Sequence, residues 1–200
     1  MLPMLLTTPS DLAATLYYAN GEVCSPRDLS ALCRRALDWE KTEHAEITEG
    51  LGVILYQAFR NTHEWARHSL DGVPLRPGTR RVELNPRQES LVELKVVDSG
   101  PGLASRILNL EDTSGLSWNE EIDACLECFK EGFSTSDISH KGLGLSTVVR
   151  ELKKLNASMQ VHSGRIRLHR NFSAQDTGDI SFVGAAPVKG TALTFWIPTR

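Results

Sequence analysis

The sequence predicts an α+β fold, a two-layer α/β sandwich with helices on one face of a mixed, mostly antiparallel sheet. Three observations predict it. A long amphipathic helical pattern fills residues 41–68, a cleanly alternating strand follows at 91–97, and the last quarter reads almost entirely as strand.

Residues 8–38 read as two short helices separated by a turn at Asn20-Gly21. The second starts with Ser25 as cap and Pro26 at the first helical position, where its missing N–H costs nothing. From Lys41 to His68, Ile47, Leu51, Ile54, Ala58, Asn61 and Trp65 recur at steps of three and four and share one helix face. Asn61 is the polar member of that apolar stripe, and an unsatisfied buried amide is costly.

A Gly- and Pro-rich connection leads to strands at Arg80–Glu83 and Leu91–Val97, with Asn85-Pro86 marking the turn between them. Val92, Leu94 and Val96 face one way, Glu93 and Lys95 the other, so this sheet has one buried and one wet face. By parity Asp98 follows Val96 inward. A carboxylate aimed into a core needs a partner.

The stretch 103–132 is less regular and carries a helix from Trp118 to Phe129. A polar segment, 133–141, then runs into Gly142-Leu143-Gly144-Leu145-Ser146 and a helix with Leu145, Val148, Val149, Leu152 and Leu155 on its apolar face. Strands at Ala157–His162 and Ile166–His169 flank a turn at Ser163-Gly164; a polar loop and a strand at Thr191–Ile197 complete the order.

Two hundred residues with 40% hydrophobic content suffice for one compact domain with its own core. A net charge of -3 gives no basic signature for direct nucleic-acid contact. The apolar start, Met1 to Leu6, is too short for a signal peptide or a membrane span, and the expectation is a cytoplasmic protein. Cys125 and Cys128 form a C-x-x-C that could hold zinc or a redox disulfide. Ile122, Cys125 and Phe129, however, are spaced like a buried helix face, and no second pair completes a site. The core reading is preferred.

Three features ask for one explanation: Asn61 on a core face, Asp98 inward at a strand end before Gly100-Pro101-Gly102, and Gly142 and Gly144 opening a helix. Each alone has an ordinary reading. Together they suit a purine triphosphate. A carboxylate accepts the exocyclic amino hydrogen of adenine, and glycines beside it let the backbone approach the ring. Glycines at a helix start expose N–H donors to phosphate, and an Asn oxygen suits the accompanying magnesium.

At this point the sequence resembles the GHKL superfamily of histidine kinases, gyrase-type topoisomerases, mismatch-repair ATPases and chaperones. Gln57 to Ala66 resembles the N box, and Asp98-Ser-Gly100-Pro-Gly102 the first glycine box. Phe129 to Thr135 resembles the phenylalanine box and lid start, Lys141 to Ser146 the second glycine box, and Gly190 to Thr194 the last. The boxes occur in family order across residues 41–200.

The resemblance implies a Bergerat fold binding ATP and Mg2+. Asn61 would hold Mg2+ and Asp98 would read adenine in a pocket shaped by Gly100 and Gly102, with Thr191 behind it. Gly142 and Gly144, with Leu143 and Leu145, would line the phosphates, and Lys141 could reach one, although a loop lysine is more often only solvated. Residues 133–141 would form a short lid. Residues 1–40 would be a helical extension outside the ATP-binding domain of 41–200, where a protein partner or second subunit could dock.

Two departures matter. Many members place a glutamate general base where this chain has Gln57, which can orient a water but not take its proton. His140 stands where the second glycine box usually has its first glycine. Binding is therefore better supported than catalysis, and no catalytic residue is assigned. The lid start looks most like the histidine-kinase branch, yet residues 1–40 contain no His to accept phosphate. Three readings follow: a kinase-type domain phosphorylating or regulating a partner, an ATPase that dimerises or remodels a partner, and a non-hydrolysing ATP sensor.

Overall fold

Alternation along the strands dictates how the sheet forms. In the computed structural model, which describes residues 5–7, 14–16, 30–31, 33–34, 37, 44–65, 81–87, 90–111, 113–130, 144–173 and 180–199, six strands make one sheet. They are β1 (Leu5–Thr7), β2 (Ala14–Leu16), β3 (Arg81–Arg87), β4 (Leu91–Asp98), β5 (Ser158–Asn171) and β6 (Ile180–Pro198), in the order β1-β2-β3-β4-β6-β5. Every described pairing is antiparallel, so the expected mixed sheet has no parallel pair among the described residues. The fold is α+β, with helices layered on the sheet as expected.

The helices are α1 (Ala45–Trp65), α2 (Leu103–Leu108), α3 (Trp118–Glu127) and α4 (Gly144–Lys154). Leu51, Ile54, Leu55 and Ala58 of α1 are fully buried, as their spacing demands. They join Val92, Leu94 and Val96 of β4, Val148 and Leu152 of α4, and Phe195 and Ile197 of β6 in one core. Gly50 lets α1 sit tightly on the end of α4: a Cβ there would lie 2.7 Å from Leu155 Cδ1. The start of α3 is fixed by a capping box. Ser117 Oγ accepts from the Glu120 N–H at 3.3 Å, and Glu120 Oε2 accepts from the Ser117 N–H at 2.8 Å.

Several expectations are corrected. Residues 14–16 form a strand rather than a helix, because β3 offers them a row of backbone partners: Ala14 pairs Leu84 and Leu16 pairs Val82. Tertiary pairing overrides a weak local preference here. Residues 30–31 and 33–34 are helical as expected, and Ser30 and Cys33 are buried, with Ser30 Oγ donating to Thr48 O at 2.5 Å. The cap expected at Ser25-Pro26 lies outside the described residues. Asn85-Pro86 is not the turn: β3 runs on to Arg87, with Pro86 opposite Val92. The described β2 pairing covers only Val82–Leu84, so Pro86 stands where a missing N–H costs no bond to β2.

The β5–β6 region reads differently from a simple hairpin. The Phe172 N–H donates to Ala157 O at 2.9 Å, whereas a straight strand would hold those residues about 50 Å apart. The chain therefore doubles back within β5, where the register breaks between Ser163 and Ile166 and Gly164 has φ +57°. This is the expected Ser163-Gly164 turn. The polar loop expected after His169 is largely strand instead: Ile180–Gly184 pairs with the returning half of β5, and Thr191–Trp196 with the outgoing half. Arg165, just past the turn, places its Nε 3.2 and 3.3 Å from the two carboxylate oxygens of buried Glu121 and gives an Nη2 bond to Leu116 O at 2.8 Å, tying α3 to β5. No helix among the described residues is long and apolar enough to cross a membrane.

Gly190, at φ +85°, lies so close to β4 that a Cβ would fall 2.0 Å from Asp98 O. Gly164 also has a positive φ, but a Cβ there would meet nothing within 4 Å. Gly164→Ala should cost about 1–2 kcal/mol, the ordinary penalty for a left-handed alanine. Gly190→Ala should cost more, on the order of 4 kcal/mol, because main chain must move. Urea unfolding of both variants checks this; equal losses would contradict the close approach.

Candidate functional site

β4 ends on Asp98, directly opposite Thr191 of β6. Asp98 Oδ1 accepts from the Gly100 N–H at 2.9 Å and from the Thr191 N–H at 3.3 Å, which supplies the partners its inward direction demanded. Gly100 is buried, and Gly102, at φ +93°, precedes α2. A Cβ at Gly102 would press to 3.0 Å on Ser163 Oγ and 3.4 Å on Gly190 O. Glycine is needed there on both counts, conformation and space.

Ser163 holds these pieces together. Only 3% exposed, its Oγ accepts from the Leu103 N–H at 2.8 Å, donates to Gly190 O at 3.2 Å, and lies 3.4 Å from Thr191 Oγ1. It joins the start of α2 to β6. Sequence reasoning passed over it as a turn residue, yet a signal existed. Met159, Val161 and Ser163 share inward parity on β5, and all three are buried. A polar residue at an inward position was the same clue that singled out Asp98.

A second grouping involves α1 and α4. Asn61, one turn from the end of α1, lies against Gly144, the first residue of α4; a Cβ on Gly144 would sit 3.0 Å from Asn61 Oδ1 and 3.3 Å from Nδ2. Asn61 Nδ2 is buried and has no hydrogen-bond partner among the described residues. An orphaned amide at that position has the chemistry of a hard-cation or water ligand, since turning the amide over presents its oxygen instead. Leu145 is half-buried and packs against the core. Gln57 is half-buried one turn before Asn61 on the same helix.

The sheet end thus gathers Asp98, Gly100, Gly102 and Thr191, and the helix pair brings Asn61 to Gly144. Both α4 and β4 pack on α1. Lys141, Gly142 and Leu143, together with the lid expected at 133–141, lie outside the described residues.

The three described cysteines behave as core residues. Cys125 and Cys128 are buried on the inner side of α3, and Cys33 is fully buried. Burial pushes the Cys33 and Cys125 thiols up to about 12, helped at Cys125 by the Glu121 charge, and burial raises Cys128 as well. Thiols so disfavoured as thiolates are poor nucleophiles.

No family model matches the chain. It is 27% identical over 158 residues to the sensor histidine kinase CheAY of Helicobacter pylori, an alignment covering 68% of this chain and 19% of that protein. The chain thus matches about a fifth of the length of this curated relative. Among solved structures, the mycobacterial sensor histidine kinase MprB aligns with 76% of this chain and 71% of that one, at 22% identity and a TM-score of 0.43. Both of these proteins are named as sensor histidine kinases.

Proposed function

We propose that the chain is a Mg-ATP-binding domain of histidine-kinase-like type, within the GHKL superfamily, that uses ATP for phosphotransfer to, or regulation of, a protein partner. The observation that carries this reading is the convergence of Asp98, Gly100, Gly102 and Thr191 at one sheet end, although they span 93 positions of sequence between Asp98 and Thr191. Fixed by two backbone donors on Oδ1, the Asp98 carboxylate is oriented to accept from the adenine amino group. Gly102 keeps the wall beside it free of a side chain. Asn61, whose amide nitrogen has no described partner, would turn its oxygen to Mg2+, and the N-terminus of α4 would face the phosphates. Mg2+ would neutralise charge on the phosphates. The similarity to sensor histidine kinases favours this branch over the others. A cytoplasmic location, a lid at 133–141 and partner docking through residues 1–40 belong to the same proposal.

A second reading is favoured by one residue. Gln57 stands at the position where a carboxylate would take a proton, which favours a non-hydrolysing ATP sensor. Binding without turnover would single it out.

Asp98→Asn keeps an oxygen for the two N–H donors but offers adenine a donor where it needs an acceptor. Calorimetry with Mg-ATP should show binding weakened about 10- to 100-fold, the loss expected for a hydrogen bond to a charged group, with the melting temperature little changed. Undiminished ATP affinity would remove Asp98 from the pocket. Gly144→Ala tests the Asn61 contact separately. A few tenths of an ångström of displacement should weaken binding of Mg-ATP more than binding of ATP in excess EDTA, while stability holds or rises slightly. Equal effects with and without magnesium would detach Asn61 from the metal.

A further inference from the structure

A cavity of about 240 Å³ opens between the C-terminal end of α3 and the doubled β5–β6 region. Among the described residues its apolar walls are Leu126, Phe129, Met159, Leu168 and Ile180, and its cations are Lys130 and Arg170. None of Asn61, Asp98, Gly100, Gly102, Gly144 or Thr191 lines it. It shares Phe129 with the segment that resembles the phenylalanine box, and none of the residues proposed to touch the nucleotide or Mg2+.

The two cations differ in what they already hold. Lys130 is exposed and ion-paired with Glu127, so it stands at the rim with its charge answered. Arg170 is otherwise placed. Its guanidinium carbon lies 4.8 Å from the centre of the Phe172 ring, and its Nε is buried with no hydrogen-bond partner among the described residues. Stacking on an aromatic face engages the plane of a guanidinium and leaves its in-plane N–H donors to be met by something else. Burial also makes the charged form of Arg170 harder to sustain, so an anion would be welcome there.

We infer that this cavity is a second ligand site, taking a small anionic amphiphile: a monocarboxylate whose head meets the Arg170 guanidinium and whose apolar body lies among Leu126, Met159 and Leu168. The planar fork of an arginine matches a carboxylate's two oxygens better than any other side chain does. Size fixes the class further. An apolar cavity of roughly 150 Å³ holds benzene, so the present volume suits about eight or nine heavy atoms, as in hexanoate or benzoate. Ligands of either type would bridge α3 to the returning half of β5.

The test is calorimetric titration of the full chain with sodium hexanoate, with hexylamine as the charge-reversed control. Saturable hexanoate binding with a dissociation constant of about a millimolar or below is expected for so few atoms. Hexylamine should not bind. Arg170→Met should weaken hexanoate at least tenfold, and Leu126→Trp, which fills the cavity, should abolish it. The amine control on the unaltered chain and the Leu126 variant carry the test even where Arg170→Met fails to fold. No saturation with hexanoate, equal binding of hexylamine, or unchanged affinity in a folded Arg170→Met variant would each overturn the assignment.

Discussion

The arrangement depends on how closely β6 passes the end of β4. At Gly190 the two backbones approach until no Cβ fits between them, and one residue later the Thr191 N–H reaches Asp98 Oδ1. That contact turns a strand end into a site. It fixes the carboxylate, sets the register of the central pair from Asp98–Thr191 to Leu91–Pro198, and brings Gly102 against Gly190. Ser163 then closes the junction from the other side by bonding both the start of α2 and Gly190. The glycines here do unequal work. Gly190 and Gly102 answer contacts that leave no room for a side chain, whereas Gly164 answers only a dihedral angle.

Much of this was legible in the sequence, and the reasons are local. The alternation of Val92, Leu94 and Val96 states which face is buried, and it carries Asp98 inward with it. The three-and-four spacing of α1 delivers Asn61 to a core-facing position, where its amide meets Gly144. The helix expected from Trp118 forms there, as α3. Patterns with a fixed period were readable because burial of apolar surface enforces them one turn or one strand at a time.

What was not legible required knowledge of neighbours. Residues 14–16 become a strand because β3 is beside them, and no periodicity over three residues can say so. Asn85-Pro86 has the chemistry of a turn, but the described β2 partner stops at Leu84, and a proline beyond it breaks no β2 bond. The polar loop expected between His169 and Thr191 hides an apolar run, Ile180 to Gly184, that pairs with the returning half of β5, where Ile166 and Leu168 are buried. Ser163 had a readable clue in its parity. It was obscured by the glycine that follows it, which reads more loudly as a turn.

The account makes Asp98 and its glycines the adenine wall and Asn61–Gly144 the phosphate and metal side of one nucleotide site. Hydrogen-exchange mass spectrometry of the chain with and without Mg-ATP tests that joint claim most directly. The account predicts added protection in both 98–103 and 190–192, and at the start of α4, with the α3 end and the Arg170 cavity unchanged. Protection confined to other segments, or none at saturating Mg-ATP, would contradict it.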